Sequence, residues 1–500
     1  MTNAPQPYAD QRARFLAALA PRSAAALVFS GSPRIRNHDA EHRFRPESDF
    51  WYLTGFAEPE SALLLLPARR AASSTSASAA EGRELPPRAV LFLREKSRDE
   101  EIWHGRRLGV DAAPQALGLE RAYPIAELWQ RLPELLRGYE RLVYRSGLNE
   151  AQDRAVLAAL ARLREKHRGP HPIPYECVDP APILHELRLY KDPRELELMR
   201  RAAQLSERAH RAAMARSAPG VNEAEIDALL SYCFRAGGGG GSAYTNIVAG
   251  GANACILHYV ENNAPLRAGE LLLVDAGAEY DCYASDVTRT WPVTGRFSPE
   301  QRALYELVLR AQLAAIEEVG PGKPFPAAHE AAVRVLAAGL VELGLLPGPV
   351  QQVLESESYK RFYMHRTGHW LGLDVHDCGA YSKDAAPRLL EPGMVTTVEP
   401  GLYIAAEDEL VEPRWRGIGI RIEDDVLVTE AGCEVLTAAI PKTIAELERA
   451  CAASDLLAAP AEKPAERASK AVSRSSGKSA HEPNASSTGA AKRSAPPRRA

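Results

Sequence analysis

No stretch of this 500-residue sequence stays apolar for the roughly 18 positions that a membrane-spanning helix needs. The strongest run, Ala62 to Leu66, is broken at once by Pro67 and Arg69, and no membrane association is expected. No export signal is expected either: Asp10 precedes Arg12 and Arg14, and Pro21 with Arg22 interrupts the apolar stretch that begins at Phe15. Cysteine is sparse, with seven residues scattered from Cys177 to Cys451 and never spaced C-x-x-C. That pattern excludes a disulfide framework and a thiolate zinc site, and it suits a reducing cytoplasm. Excess positive charge is missing from the body of the chain. The net charge is −4, yet the last forty residues carry nine Lys and Arg against three Glu, so the remainder is more acidic than the whole. Nucleic acid is therefore not an expected partner. What is present is 45% hydrophobic and 25% charged residues, an ordinary globular composition with length for more than one core.

The Ala, Ser, Pro, Lys and Arg of residues 458–500 are read as a disordered basic tail. Arg70 to Pro87, rich in Ser and Ala, is read as a solvated hairpin loop between the strand-like runs Ala62–Leu66 and Ala89–Leu93. Gly237–Gly241 follows a helical pattern and precedes no Lys-Ser/Thr, so it reads as a helix-ending loop rather than a phosphate cradle. Short strands and helices alternate over residues 1–185, an α/β domain. They include a helix capped by Asn149 with Val156, Leu157, Leu160 and Leu163 expected on one face. A second domain, 186–457, opens where Asp192 caps a long helix with Pro193 at its first position and Glu195 at its third. Its helices at 222–235, between Ser298 and Leu345, and at 443–450 are separated by strands, in an order roughly duplicated across 190–450.

Chemistry enters through acids inside apolar strands. Leu271–Asp275 and Tyr283–Trp291 read as a hairpin centred on Tyr280-Asp281, which would set Asp275 opposite Asp286 with Cβ atoms ~5 Å apart. Met394–Ile404 carries Glu399, and Ile418–Val428 carries Glu423 with Arg421 on the same face. A lone buried carboxylate costs several kcal/mol unless it is paired or metal-bound. Aspartates facing water, or Arg421 neutralising Glu423, are the alternatives to be decided by structure. Histidine is concentrated too: His365, His369 and His376 fall within twelve residues, and His258 sits in Cys255-Ile-Leu-His-Tyr259. Asp275, Asp286, Glu399 and Glu423 supply four negative charges, which two divalent cations would balance with one imidazole completing the shell. Oxygen-dominated ligation favours Mn²⁺, although Co²⁺, Zn²⁺ or Fe²⁺ would also bind. Two such ions could share a bridging hydroxide and polarise a scissile carbonyl.

These residues resemble the Xaa-Pro aminopeptidases (aminopeptidase P), metallopeptidases of the pita-bread, creatinase-like fold. His365 to Asp377, Val274-Asp-Ala-Gly with Ser285-Asp-Val-Thr-Arg, Thr397-Val-Glu-Pro-Gly-Leu-Tyr and Gly419-Ile-Arg-Ile-Glu-Asp carry the resemblance. Ser48 to Phe56 and Glu101 to Leu108 add to it in the first domain. It implies an α/β N-terminal domain followed by an α+β pita-bread catalytic domain, and hydrolysis of the bond between an N-terminal residue and a following proline. It implies metal ligation by Asp275, Asp286, His369, Glu399 and Glu423, with Asp286 and Glu423 bridging and Glu399 relaying a proton. His258 and His376 would stabilise the oxyanion, His365 would line the pocket, Trp103 would pack on the proline ring, and Arg421 and Tyr403 would orient the ligands. Peptides with proline second are the implied partners, and a homodimer or homotetramer the implied assembly. The insert, the glycine run, the tail and Ser382–Arg388 depart from the family pattern. A prolidase acting on dipeptides and a non-catalytic pita-bread binding module are the competing readings.

Overall fold

Ala62–Leu66 organises the first half of the chain. In the computed structural model, which describes residues 8–70 and 84–453, all five of its side chains are buried. The expected tail and most of the 70–87 insert lie outside the described residues. The strand is central in a six-stranded sheet ordered Glu176–Val178, Arg141–Val143, Ala24–Phe29, Ala62–Leu66, Arg88–Leu93, Arg121–Pro124. It pairs antiparallel with both neighbours, including Arg88–Leu93 across the insert, whereas the outer pairs are parallel. A continuous apolar run, rather than an alternating one, follows from cover on both faces. Ala62, Leu64 and Leu66 pack outward against Leu132, Leu160 and Leu163 of the helices Leu128–Leu135 and Glu150–Glu165. Leu63 and Leu65 pack inward in a cluster that also takes in Tyr283, Leu371, Val395 and Leu427 from the second half. Asn149 caps its helix through the N–H groups of Ala151 and Gln152. Leu157, however, is 58% exposed, because the buried stripe runs through Val156, Ala159, Leu160 and Leu163.

The helix Ala181–Leu189 spans the expected boundary near 185. Beyond it, Asp192 and Glu195 form the reciprocal cap of the helix Pro193–Arg216, as the sequence predicts. That helix packs with Glu223–Ala236, and Pro299–Glu317 packs with Ala327–Glu342. Each helix pair accompanies a three-stranded antiparallel sheet: Ile247–Gly250, Leu271–Asp275 and Thr288–Pro292 after the first, Val395–Val398, Asp424–Thr429 and Gly432–Val435 after the second. The glycine run does end a helix: the N–H of Gly239 bonds the Phe234 carbonyl at 3.0 Å, and Gly238 takes a positive φ.

Two features of the acid-bearing strands differ from the sequence reading. The first hairpin turns on Asp281-Cys282, both at positive φ, as a two-residue turn joining Tyr280 to Tyr283. This moves the centre by one residue, so Asp275 faces Thr288 and not Asp286. Asp286 lies two residues from Thr288 and becomes a diagonal neighbour of Asp275 on the same face. Gly277 opposite is needed for the close approach, since a Cβ there would come within 1.7 Å of the Ser285 carbonyl oxygen. The second and third runs are not single strands. Val395–Val398 pairs with Asp424–Thr429, and Gly401–Ile404 pairs with Ile418–Arg421. Pro400 cannot donate to a ladder, and the ribbon changes sheets there. The register Val398↔Asp424 and Gly401↔Arg421 continues across the break, which puts Glu399 opposite Glu423.

Candidate metal centre

The two ribbons deliver their acids to one cavity of about 910 Å³, lined by Asp275, Asp286, Glu399 and Glu423 together with His258, His365, His369 and His376. One ligand atom each from Asp286, His369 and Glu423 lies within 4.8 Å of the others. His369 Nε2 is 3.3 Å from Asp286 Oδ2 and 3.6 Å from Glu399 Oε1. Its Nδ1 donates to the Trp370 carbonyl at 3.0 Å, which turns Nε2 toward the acids. The backbone of this loop is held by the ribbon, with Thr397 N–H donating to the His369 carbonyl and Glu399 N–H to Thr367.

The carboxylates have few counter-charges. Among the described residues, Arg421 is the one guanidinium or ammonium within 4 Å of any of the four, and it reaches Asp275 Oδ2 at 2.6 Å. It does not neutralise Glu423, which instead accepts the Thr288 hydroxyl at 2.6 Å. Burial, reinforced by Asp286, Glu399 and Asp275, pushes the Glu423 carboxyl well above its ordinary range. Burial likewise raises Asp275 against the opposing pull of Arg421, and pushes Glu399 up to about 7. Burial alone would lower His369, but its bond to Asp286 and the charge of Glu399 hold it up at about 9. Four acids, three of them buried and Glu399 half-buried, thus have only Arg421 and His369 as cationic partners within 4 Å among the described residues. Carboxylate oxygens around a single oriented imidazole form a donor set suited to divalent cations, and the residues present fit such ions.

Around this group the structure places most of the expected partners. Arg421 Nη1 donates to the Tyr403 hydroxyl at 3.0 Å, and that hydroxyl faces His365 Nε2 at 2.8 Å. With His365 Nδ1 donating to the Arg366 carbonyl, His365 is a neutral ring, and burial pushes its pKa down to about 4. His376 meets His369 edge-on with ring centroids 4.4 Å apart. Trp103, expected on the proline ring, does not line the cavity of the single chain. It is 83% exposed on the helix Arg98–His104, which buries no side chain. Sequence reasoning also missed several contributors. Tyr244 donates its hydroxyl to Asp275 Oδ1 at 2.5 Å. Thr288 bridges Glu423 and Arg421, and Asp425 accepts the Asp286 N–H at 3.1 Å and the Ser285 hydroxyl at 2.8 Å. A third acid directly after Glu423-Asp424 in a buried strand was the available signal for Asp425; Tyr244 and Thr288 carry none.

Comparison with known proteins agrees with this geometry. Residues 197–430 match metallopeptidase family M24, and residues 8–144 match the aminopeptidase P N-terminal domain. The chain is 44% identical over 441 residues to the Xaa-Pro aminopeptidase of Haemophilus influenzae, covering 88% of this chain and 96% of that one. The solved structure of an aminopeptidase from Pseudomonas aeruginosa superposes with a TM-score of 0.83 at 47% identity, covering 90% of this chain and 99% of that one. A zinc-substituted aminopeptidase P from E. coli in complex with product superposes at 0.82 with 41% identity, covering 89% and 98%. The chain belongs to the Xaa-Pro aminopeptidase family of the M24 metallopeptidases.

Proposed function

We propose that the protein is a metallo-aminopeptidase that removes the N-terminal residue from peptides with proline in second position. The observation that carries this is the set of four clustered carboxylates, three buried and Glu399 half-buried, that among the described residues only one guanidinium touches. Asp275, Asp286, His369, Glu399 and Glu423 would hold two divalent ions. When bound, such ions bring water toward ionisation at neutral pH and polarise a carbonyl. Glu399 would take a proton from the attacking water and return it to the departing proline nitrogen. His258 and His376, on the open side of the cavity, direct N–H groups at the developing oxyanion. His365 walls the pocket beside them, fixed by Tyr403, while Arg421 holds Asp275 in place.

The finer readings are Mn²⁺ as the working ion, a cytoplasmic location and a homodimeric or tetrameric assembly. The oxygen-rich donor set supports the first and the seven free cysteines the second, while the third follows from the family resemblance. Among the described residues no helix is long and apolar enough to cross a membrane. Metal analysis with an Xaa-Pro-Xaa tripeptide assay tests the reading. Chelation should abolish turnover and Mn²⁺ restore it, with about two ions bound per chain. Turnover that survives complete metal removal would sink the proposal, and a preference for Xaa-Pro dipeptides over tripeptides would convert it to a prolidase.

A further inference from the structure

The loop from His369 to Asp377 carries two of the site's histidines but has almost no regular structure, only one bridge at Trp370. Its shape must come from side-chain contacts, and these converge on Arg188. That side chain is 3% exposed on the helix Ala181–Leu189, between the two halves of the chain. Its Nη2 meets Asp377 Oδ1 at 2.6 Å and Asp374 Oδ2 at 2.9 Å, while Nη1 meets Asp49 Oδ1 of the N-terminal half at 2.7 Å. Lys191 Nζ takes the second Asp377 oxygen at 3.0 Å. Also from the N-terminal half, Ser48 donates to Asp374 Oδ1 at 2.6 Å, and Arg45 donates to the Leu373 carbonyl. The loop closes on itself through Asp377 N–H to the Trp370 carbonyl at 2.9 Å. Gly372 leaves room for this: a Cβ there would lie 2.2 Å from Asp377 Oδ2 and 2.8 Å from Lys191 Cε.

We propose that Arg188 is a positioning residue that locks the His369–His376 loop to Asp49, so that the N-terminal half helps set the geometry of the catalytic centre. The inference rests on the proposed functional reading of that centre. A buried ionic junction is a weak source of net stability, because desolvation offsets most of its attraction; what it supplies is one defined arrangement. The guanidinium fork is the suitable device, since it presents fixed donors to several carboxylates at once, which an ammonium cannot. A shift of the order of 1 Å in a catalytic group can cost up to about 100-fold in rate.

The test compares Asp49→Asn and Arg188→Lys with Leu64→Ala, which loosens the outer face of the N-terminal sheet without touching the loop. Steady-state kinetics on an Xaa-Pro-Xaa tripeptide, metal content and melting temperature are measured for the Mn²⁺-loaded full chain. Asp49→Asn should lower kcat about tenfold with KM changed less than twofold and metal content unchanged. Arg188→Lys should lower kcat further, and Leu64→Ala should lower the melting temperature while leaving kcat near wild type. Wild-type turnover with unchanged kcat in Asp49→Asn overturns the inference alone. Equal kcat losses in Asp49→Asn and Leu64→Ala also overturn it, by showing a general loosening. If Asp49→Asn does not fold, kcat for Arg188→Lys within twofold of wild type overturns it equally. An inactive wild type overturns the functional reading and this inference together.

Discussion

Glu423 and Asp424 are adjacent, share one ribbon and are buried to 2% and 0% exposure, yet their surroundings are opposite. Asp424 points to the rear, where it meets Arg289 Nη2 at 2.7 Å, Lys442 Nζ at 2.7 Å, Gln312 and Thr437. Burial pushes its carboxyl up, but Arg289 and Lys442 overcome that and hold it below the ordinary range. Glu423 points forward to three more acids, and among the described residues the pull of Arg421 does not reverse the effect of burial. Desolvation is the same for both; the company differs. The rear acid has two cations of its own, while the front acids share Arg421 and His369 among four carboxylates. The clamp under the histidine loop belongs with the rear: Asp49 and Asp377 are each met by Arg188.

Substituting the front acid breaks the comparison most strongly. Glu423→Gln should lower kcat/KM by more than the roughly 10–100-fold typical of an outer partner of a metal site, with loss of bound metal. The chelated protein should melt no lower than wild type, because burial and three neighbouring acids already disfavour the charged carboxylate that the amide replaces. Calorimetry with metal analysis checks both halves. The rear acid should behave in the reverse manner. Asp424→Asn leaves Arg289 and Lys442 short of a partner and should cost about 3–5 kcal/mol of stability, measured by urea unfolding of the chelated protein. A neutral result there would mean that the rear pairs contribute nothing that the front lacks.

The smallest effect is a pH dependence of a paired acid. Burial raises Asp49, but the bond from His185 and the charge of Arg188 outweigh it and hold it at about 2. An acid depressed on folding stabilises above its ordinary pKa and loses that contribution as pH falls through the folded value. Wild type should therefore exceed Asp49→Asn by on the order of 2 kcal/mol at neutral pH. That margin should shrink as pH falls from about 4 to about 2. Unfolding curves at several pH values read it directly, and a margin that grows in acid would contradict the assignment.

How much of this was legible beforehand depended on how far each feature is local. Glu399 and Glu423 were visible because a charge inside an apolar run is an anomaly in any fold, and the Asp192 cap because its signal spans four residues. The hairpin register was not, since it hangs on Asp281 and Cys282 adopting positive φ, which neither residue announces. Leu157 fitted a helical face on spacing but fell just beyond the stripe that the sheet covers. The Asp49, Arg188 and Asp377 junction was unreadable, because its members come from three distant segments that only the folded chain brings together. Trp103 came from resemblance alone, with no physical requirement in this sequence behind it.

The inward cluster of the N-terminal sheet sets a practical limit on engineering. Phe50, Tyr52 and Leu91 are packed with Tyr283, Leu371, Val395 and Leu427, so a cut near residue 190 would strip cover from both sides. A minimal catalytic fragment would present that greasy wound to solvent and tend to aggregate. A graft of a foreign front half would have to reproduce its contours as well as its charges.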